Sequence, residues 1–444
     1  MKVKVLTRNP DEYMRETKKD IHKVPRNYDP ALHPFEAQRE YTRAVNAVKL
    51  ERIFAKPFVG SLDGHRDGIS ILGKHPKSLS CLASGSFDGE VRLWNLPTKK
   101  CVRSIAAHDG IVRGIDFVGS GEQFLTVGDD KTVKSWHTQL PSFSEDLPIN
   151  TVISKTVLTG ISCNKKNNTY ATCGELCLLW ELGRNEPIRS LKWGVDSLQH
   201  VAFNPVEENV LATCASDRSI ILYDTREPGP VRKMVLEMRS NQLAWNPMEA
   251  YTFTVANEDY NLYTFDTRCL FGATQIHKGH VSAVISVDYS PTGLEIVSGS
   301  YDKTLRIFSY YKNNSRDVYH TKRMQRITNV AWSLDNKYVI SASDEMNIRL
   351  WKAKASEKLG VMTPREKVSQ NYNAALLRKF ESFPQIKRIA RHRQVPKHVF
   401  NATREHRAIH LKQKIKESNK RAHSKPGTVP HVSLHKKSIV EVKE

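Results

Sequence analysis

Residues 84–94 have the sequence Ser-Gly-Ser-Phe-Asp-Gly-Glu-Val-Arg-Leu-Trp, a short turn and then a strand that ends in tryptophan. Six further strand-like segments of the chain end in an aromatic residue in the same way. The terminal aromatics are Trp94, Trp136, Trp180, Tyr223, Phe265, Phe308 and Trp351, spaced by 42, 44, 43, 42, 43 and 43 residues. A period of about 40 to 45 residues with short strands predicts an all-β propeller of seven four-stranded blades.

A finer motif recurs inside this repeat. A histidine precedes the terminal aromatic by 28 or 29 residues in three copies, and an aspartate precedes it by six residues in five. Here the chain resembles the WD-repeat family. The resemblance implies two hydrogen-bonded tetrads, His65, Ser84, Asp88 and Trp94 in one blade and His108, Thr126, Asp130 and Trp136 in the next. Because a catalytic triad occurs once per active site and this pattern recurs at the blade period, we interpret both tetrads as structural.

A closed ring of blades needs a strand from the other end of the chain. Residues 53–62 precede the first Gly-His pair as an outer strand would, so we expect them to complete the blade that ends at Trp351 and to remove its open edge. The predicted domains are a short N-terminal arm (1–52), a seven-bladed WD-repeat propeller (53–351) and a basic helical C-terminal domain (352–444).

The positive charge lies at the two ends of the chain. The 444 residues carry a net charge of +21, of which residues 1–60 contribute +5, residues 61–351 contribute zero and residues 352–444 contribute +16. A neutral folded platform with basic extensions indicates a polyanionic partner, with nucleic acid as the first candidate.

Helical periodicity, together with prolines that mark helix boundaries, predicts C-terminal helices at residues 365–380, 385–392 and 396–421. The densest basic cluster comprises Lys387, Arg388, Arg391, Arg393 and Lys397. Only one aromatic residue, Phe400, follows Phe383, so we expect these cations to bind RNA phosphates rather than to stack on bases. A nuclear import signal or a solvated face is the alternative interpretation of this cluster.

Two consecutive strands end in an Asp-x-Arg box, Asp224 to Arg226 and Asp266 to Arg268. These boxes resemble the motif by which some WD-repeat proteins dock onto the adaptor of a cullin-RING ubiquitin ligase, although the usual tryptophan is Tyr223 or Phe265 here. The resemblance implies that Asp224, Arg226, Asp266 and Arg268 form the docking site. Alternatively, the aspartate closes the strand and the arginine is simply solvated.

Other patterns argue against an enzyme, a cofactor or a metal. Residues 68–74 match the start of a phosphate-binding loop, but His75 stands where a serine or threonine is needed, and the segment has the pattern of an inner strand. Seven cysteines without a Cys-x-x-Cys pair indicate a reducing compartment and no zinc site. We expect no small-molecule substrate, and no apolar stretch suggests a membrane span.

Four segments outside the repeat resemble one family, the Sof-type WD-repeat proteins of the small-subunit processome. They are residues 25–35 and 49–58 before the propeller, and residues 386–393 and 423–427 after it. The resemblance implies a non-catalytic nucleolar scaffold that works with the small-subunit ribosomal RNA precursor, a small nucleolar ribonucleoprotein and other processome proteins. Some members of the family also resemble substrate receptors of a cullin-RING ligase.

Overall fold

The computed structural model describes residues 35–139, 147–194 and 197–443. Seven antiparallel sheets in these ranges form the blades of a β-propeller, as predicted. From the centre outward, blades one to three are built of β2 (Ile69–Lys74), β3 (Cys81–Ser86), β4 (Glu90–Asn95) and β5 (Lys100–Ala106); β6 (Val112–Phe117), β7 (Gln123–Gly128), β8 (Thr132–His137) and β9 (Asn150–Ile153); and β10 (Gly160–Cys163), β11 (Thr169–Cys173), β12 (Cys177–Glu181) and β13 (Arg189–Leu191).

Blades four to seven follow the same order. They are built of β14 (Leu198–Phe203), β15 (Val210–Ala215), β16 (Ser219–Asp224) and β17 (Pro230–Leu236); β18 (Ser240–Trp245), β19 (Thr252–Asn257), β20 (Leu262–Asp266) and β21 (Gln275–His277); β22 (Val284–Tyr289), β23 (Glu295–Ser300), β24 (Leu305–Ser309) and β25 (Ser315–Tyr319); and β26 (Ile327–Trp332), β27 (Tyr338–Ser343), β28 (Ile348–Lys352) and β1 (Phe58–Leu62).

The repeating aromatics form the blade cores. All seven lie in the third strand of their blade and are buried. In four blades the tryptophan indole N–H donates to a hydroxyl on the second strand; the acceptors are Ser84, Thr126, Thr172 and Ser341. Clusters of buried side chains join neighbouring sheets, as where Val91 of blade one packs with Phe124 of blade two. The period in the sequence therefore reflects a stack of sheets that bury one another's faces.

The first strand of the propeller closes the ring. Strand β1 pairs antiparallel with β28, with Leu62 opposite Ile348, which confirms the predicted partner. The strand is shorter than expected, because it begins at Phe58 and residues 53–57 lie outside it. A helix occupies the chain up to Arg52, and Pro57 directly precedes the strand.

Polar side chains link the inner strands of neighbouring blades. The Asp116 carboxylate on β6 accepts from the backbone N–H of Cys163 on β10 (2.7 Å). Asp288 on β22 accepts from the backbone N–H of Trp332 (2.6 Å) and pairs with Lys74 Nζ (2.5 Å). Since Lys74 ends inner strand β2, the segment that partly matches a phosphate-binding loop is a strand, as we expected.

By its internal contacts the described chain forms two compact units, the smaller of which comprises residues 35–57 and 354–393. It contains α1 (Glu36–Arg52), α2 (Pro364–Phe380) and α3 (Pro384–Ala390). Helices α2 and α3 confirm two of the predicted helices, whereas α1 was not foreseen. Buried Val45 and Val48 of α1 pack with Leu376 and Phe380 of α2 and with Ile386 of α3, so segments from both ends of the chain share one small core.

The larger unit comprises residues 58–353 and 394–443. Besides the propeller it contains α4 (Lys397–Ala422), α5 (Leu434–Lys437) and β29 (Ile439–Lys443). Helix α4 is the long basic helix predicted at 396–421. Strand β29 was not predicted; it pairs antiparallel with β17 and makes blade four five-stranded. No helix in the part of the chain that the structure describes is long and apolar enough to cross a membrane.

Candidate functional site

The tetrad of blade two is complete. His108 Nε2 lies 2.8 Å from Thr126 Oγ1, which also accepts from the Trp136 indole N–H (3.0 Å). His108 Nδ1 lies 2.9 Å from an Asp130 carboxylate oxygen. Burial lowers the pKa of His108, although the Asp130 hydrogen bond opposes this shift. The four side chains thus connect two strands of one blade, β7 and β8, with the turn between them and with the segment before β6.

The tetrad of blade one lacks its aspartate. His65 Nε2 lies 2.5 Å from Ser84 Oγ, and Trp94 donates to the same hydroxyl (2.8 Å). Among the described residues His65 Nδ1 has no hydrogen-bond partner, and Glu90 Oε2 is 3.8 Å away. Asp88 instead accepts from the backbone N–H of Glu90. The expected four-residue chain is therefore wrong at Asp88.

Residue 90 accounts for the difference between the two blades. In blade two the equivalent position is Thr132, whose hydroxyl donates to Asp130 (2.8 Å) and helps to hold the carboxylate toward the histidine. Blade six repeats this geometry, since Thr304 donates to Asp302 (2.6 Å) and Asp302 lies 2.9 Å from His280. In blade one Glu90 replaces the hydroxyl and pairs with Arg92 (2.9 Å), so nothing turns Asp88 toward His65.

The two Asp-x-Arg boxes have the same geometry. In the first, the Arg226 guanidinium donates to both Asp224 carboxylate oxygens, with the shortest contact at 2.6 Å. Arg268 binds Asp266 in the same way, and its shortest contact is 2.7 Å. Each arginine lowers the pKa of its aspartate through these hydrogen bonds.

Both arginines nevertheless remain accessible. The side chains of Arg226 and Arg268 are 69% and 66% exposed, and Arg268 also lies over the Tyr251 ring at 3.7 Å from its centroid. A free guanidinium fork would suit bidentate pairing with a partner carboxylate. In these boxes, however, each guanidinium already binds the aspartate of its own box. A partner would therefore contact an Asp–Arg ion pair whose geometry is fixed and whose charges largely cancel.

The predicted phosphate-binding cluster is only partly brought together. Lys387, Arg388 and Arg391 are exposed at the C-terminal end of α3, where their charge also favours the helix dipole. Arg393 is half-buried and donates to the backbone carbonyls of Ala390 (2.9 Å) and His392 (2.8 Å). Lys397 is exposed at the start of α4, which belongs to the larger unit.

Helix α4 presents more cationic surface than the predicted cluster does. Residues 407–420 are exposed throughout, and the whole helix carries eight lysines and arginines against two glutamates. Of the large apolar side chains on this helix, Val399 is buried, whereas Phe400, Ile409, Leu411 and Ile415 are exposed. His406 stacks on Tyr260 in the turn before β20 (5.4 Å between ring centroids). Helix α4 and the Asp266 box therefore lie at opposite ends of β20.

The cysteines and histidines give no metal site in the described ranges. No group of three or more metal-binding side chains occurs there. All seven cysteines fall within these ranges and are free. Cys173 and Cys177 are fully buried opposite each other on β11 and β12, and burial raises the pKa of the Cys173 thiol to about 12.

Comparison with known proteins identifies both parts of the chain. A family model described as "Sof1-like domain" matches residues 353–439, and one described as "WD domain, G-beta repeat" matches residues 56–95, 99–137, 273–309 and 317–352. The Sof1-like match spans α2 and α3 as well as α4 and α5, and so extends over both compact units.

The relatives resemble the chain over its whole length. It is 57% identical to "DDB1- and CUL4-associated factor 13" of Xenopus laevis over 445 residues, which is 100% of each chain. It is 56% identical to the Homo sapiens protein of that name over 443 residues, again 100% of each. It is 43% identical to "Protein SOF1" of Saccharomyces cerevisiae over 465 residues, which cover 99% of this chain and 94% of the yeast protein. The chain therefore belongs to the family of WD-repeat proteins that carry a Sof1-like domain.

Proposed function

We propose that this protein is a non-catalytic assembly factor of the nucleolar small-subunit processome, required for processing of small-subunit ribosomal RNA. The observation that carries the proposal is the similarity to yeast Protein SOF1, which runs from the propeller through the basic C-terminal helices. A closed propeller offers rigid rims for protein partners, while exposed cationic helices suit an RNA backbone.

The proposed partners are the small-subunit ribosomal RNA precursor, the small nucleolar ribonucleoprotein that guides its cleavage, and other processome proteins. The place of action is the nucleolus. Lys387, Arg388, Arg391 and Lys397 bind RNA phosphates in this proposal, because all four are exposed. Arg393 is reassigned to holding the end of α3, because its guanidinium donates to two backbone carbonyls there.

A second function is favoured by the Asp-x-Arg boxes, namely that of a substrate receptor of a cullin-RING ubiquitin ligase. Several relatives carry the name "DDB1- and CUL4-associated factor 13". Two exposed arginines held in the same way at the ends of neighbouring blade strands give the adaptor a repeated, rigid contact. Because the Asp266 box and α4 lie at opposite ends of β20, RNA bound on α4 leaves this box accessible to the adaptor.

Affinity purification from nuclear extract distinguishes the two functions. The tagged full chain should recover the small-subunit ribosomal RNA precursor together with the small nucleolar RNA. Recovery of the ligase adaptor alone, with ribosomal RNA precursor at the level of an untagged control, would reject the assembly role and leave the ligase role.

Charge reversal at the two boxes tests the docking site. The double variant Arg226→Glu/Arg268→Glu should lose the adaptor while its thermal unfolding stays close to that of the wild type, because exposed ion pairs contribute little to stability. The matched control is Arg113→Glu/Arg184→Glu, which reverses two exposed, acid-paired arginines elsewhere on the propeller. Equal adaptor recovery by both double variants would remove the docking role from these boxes.

A further inference from the structure

A short basic loop lies at the junction of blades six and seven. It connects β25 to β26, and residues 321–326 are Thr-Lys-Arg-Met-Gln-Arg, with three basic and no acidic side chains. Met324 is buried, and its backbone N–H donates to the Thr321 carbonyl and hydroxyl oxygens. Lys322, Arg323 and Arg326 are exposed. The buried methionine thus anchors a compact loop that presents its cations to solvent.

The loop packs over the neighbouring turn of blade six. The Arg326 guanidinium lies over the ring of Tyr301, 5.3 Å from its centroid, and Tyr301 is still 42% exposed. Lys303 in the same turn donates to the Gln325 side chain (2.7 Å). The acid of this turn, Asp302, is buried and bound to His280, so it does not neutralise the surface. Asp344 contacts the loop through its backbone N–H, which donates to the Arg326 carbonyl.

Helix α4 continues this positive surface. His320 lies directly before the loop, and His398 lies in the first turn of α4. Burial lowers the pKa of His320, and His398 is close enough for its charge to add to this effect. Eight residues later His406 stacks on the corresponding turn of blade five. An α-helix rises about 1.5 Å per residue, so α4 crosses from blade six to blade five within about 12 Å.

We propose that Tyr301, Lys322, Arg323 and Arg326 form a binding surface for single-stranded RNA on the propeller itself. Lys322 and Arg323 bind successive phosphates, and Tyr301, held by Arg326, stacks on a base. The inference deepens the proposed assembly role, because it adds a second RNA contact to the C-terminal cluster and places it in the part of the chain whose net charge is zero.

The aromatic residue favours RNA over an acidic protein. Cations alone bind any polyanion, whereas an exposed ring beside an arginine is the platform that single-stranded nucleic acids use for their bases. An acidic peptide gains from the three cations but gains little from the ring. The contribution of Tyr301 therefore separates the two kinds of partner.

Binding of the full chain to a labelled oligouridine of about 12 nucleotides tests the proposal, with affinity measured at several salt concentrations. The variant Lys322→Ala/Arg323→Ala should flatten the log-log salt dependence by up to about 1.4, because each phosphate contact to a single strand contributes about 0.7. Tyr301→Ala should weaken binding about fivefold or more without changing this slope, and Tyr301→Phe should bind as the wild type does. The charge-matched control is Lys77→Ala/Lys337→Ala, which removes two exposed lysines elsewhere on the propeller.

Three other results would show that RNA does not bind this surface. If the wild type binds with a salt-dependent affinity and the loop variant behaves as the control does, the loop surface is wrong while the assembly role stands. If the wild type does not bind RNA at all, both fail. If the loop variant loses poly-glutamate binding as strongly as oligouridine binding, and Tyr301→Ala affects neither ligand, the surface binds acidic protein and the assignment to RNA is wrong.

Discussion

Three histidines of the propeller make its stability depend on pH, because the fold lowers their pKa values. Burial lowers the pKa of His65, His200 and His277 to about 4. A histidine in the unfolded chain takes up a proton near pH 6.5. Between pH 6.5 and pH 4 unfolding therefore binds protons, so acid favours the unfolded chain and stability rises with pH through this range.

Stability should accordingly fall between pH 7.5 and pH 5. We expect each of these histidines to lower the free energy of unfolding by about 1–2 kcal/mol over that interval. The variant His65→Gln cannot take up this proton, so its stability should depend less on pH by about that amount, as measured by chemical unfolding at the two pH values. His137→Gln, a substitution at an exposed position, is the control. An unchanged pH dependence in His65→Gln would show that His65 is not kept neutral by the fold.

How far single residues could be predicted depended on their neighbours. The resemblance to the WD-repeat family implied that His108, Thr126, Asp130 and Trp136 form one hydrogen-bonded group, and the structure shows these contacts. Asp88 stands at the same repeat position and does not join His65. The difference comes from Glu90 in place of a hydroxyl residue, a local competition that spacing alone does not reveal.

At the level of elements, the closing strand should be essential for a stable ring. Leu62 of β1 is fully buried in the cluster that joins blades seven and one. The variant Leu62→Ala should destabilise the protein by about 2–5 kcal/mol, because it leaves a cavity in a packed core. Leu79→Ala is the matched control, since this leucine is 55% exposed and should cost little. Equal unfolding midpoints for the two variants would contradict the role of β1 in closure.

We expect the arginines at the C-terminal end of α3 to have two different roles, RNA binding and stabilisation of the helix end. The variant Arg388→Ala/Arg391→Ala removes exposed cations, so it should flatten the salt dependence of RNA binding by up to about 1.4 and leave unfolding unchanged. Arg393→Ala removes a donor to two backbone carbonyls, so it should lower stability with little change in slope. Salt titrations on two unrelated RNAs should give the same loss, because phosphates carry no sequence information. If Arg393→Ala flattened the salt dependence and Arg388→Ala/Arg391→Ala did not, Arg393 would be the RNA contact and the two exposed arginines would not.

Strands and helices with a strong local pattern could be predicted, and those that depend on distant partners could not. Helices α2, α3 and α4 follow from periodicity and prolines. Strand β29 has only five residues, and its partner β17 lies about 200 residues earlier in the chain, so nothing local marks the pairing. Helix α1 packs on α2 and α3, which follow it more than 300 residues later in the chain, so nothing local marked the N-terminal segment as part of a core.

For the whole molecule, net charge was an incomplete guide to where RNA would bind. Residues 61–351 carry no net charge, so the sequence drew attention to the C-terminal cluster alone. Some carboxylates of the propeller are paired with its own basic side chains. Asp302 binds His280, and Asp288 binds Lys74. Cations such as Lys322 and Arg323 are exposed on the same body. A neutral sum therefore conceals a positive surface that only the folded ring brings together with α4.

Depletion of the protein, followed by rescue with the wild type or a variant, shows whether it acts in processing of small-subunit ribosomal RNA. The measurement is the ratio of unprocessed small-subunit precursor to mature small-subunit RNA in nuclear RNA. We expect this ratio to rise on depletion. We also expect the wild-type chain and the variant Arg226→Glu/Arg268→Glu to restore it equally. If the ratio stays unchanged on depletion, or if only the docking-competent chain restores it, the protein does not act as the proposed assembly factor.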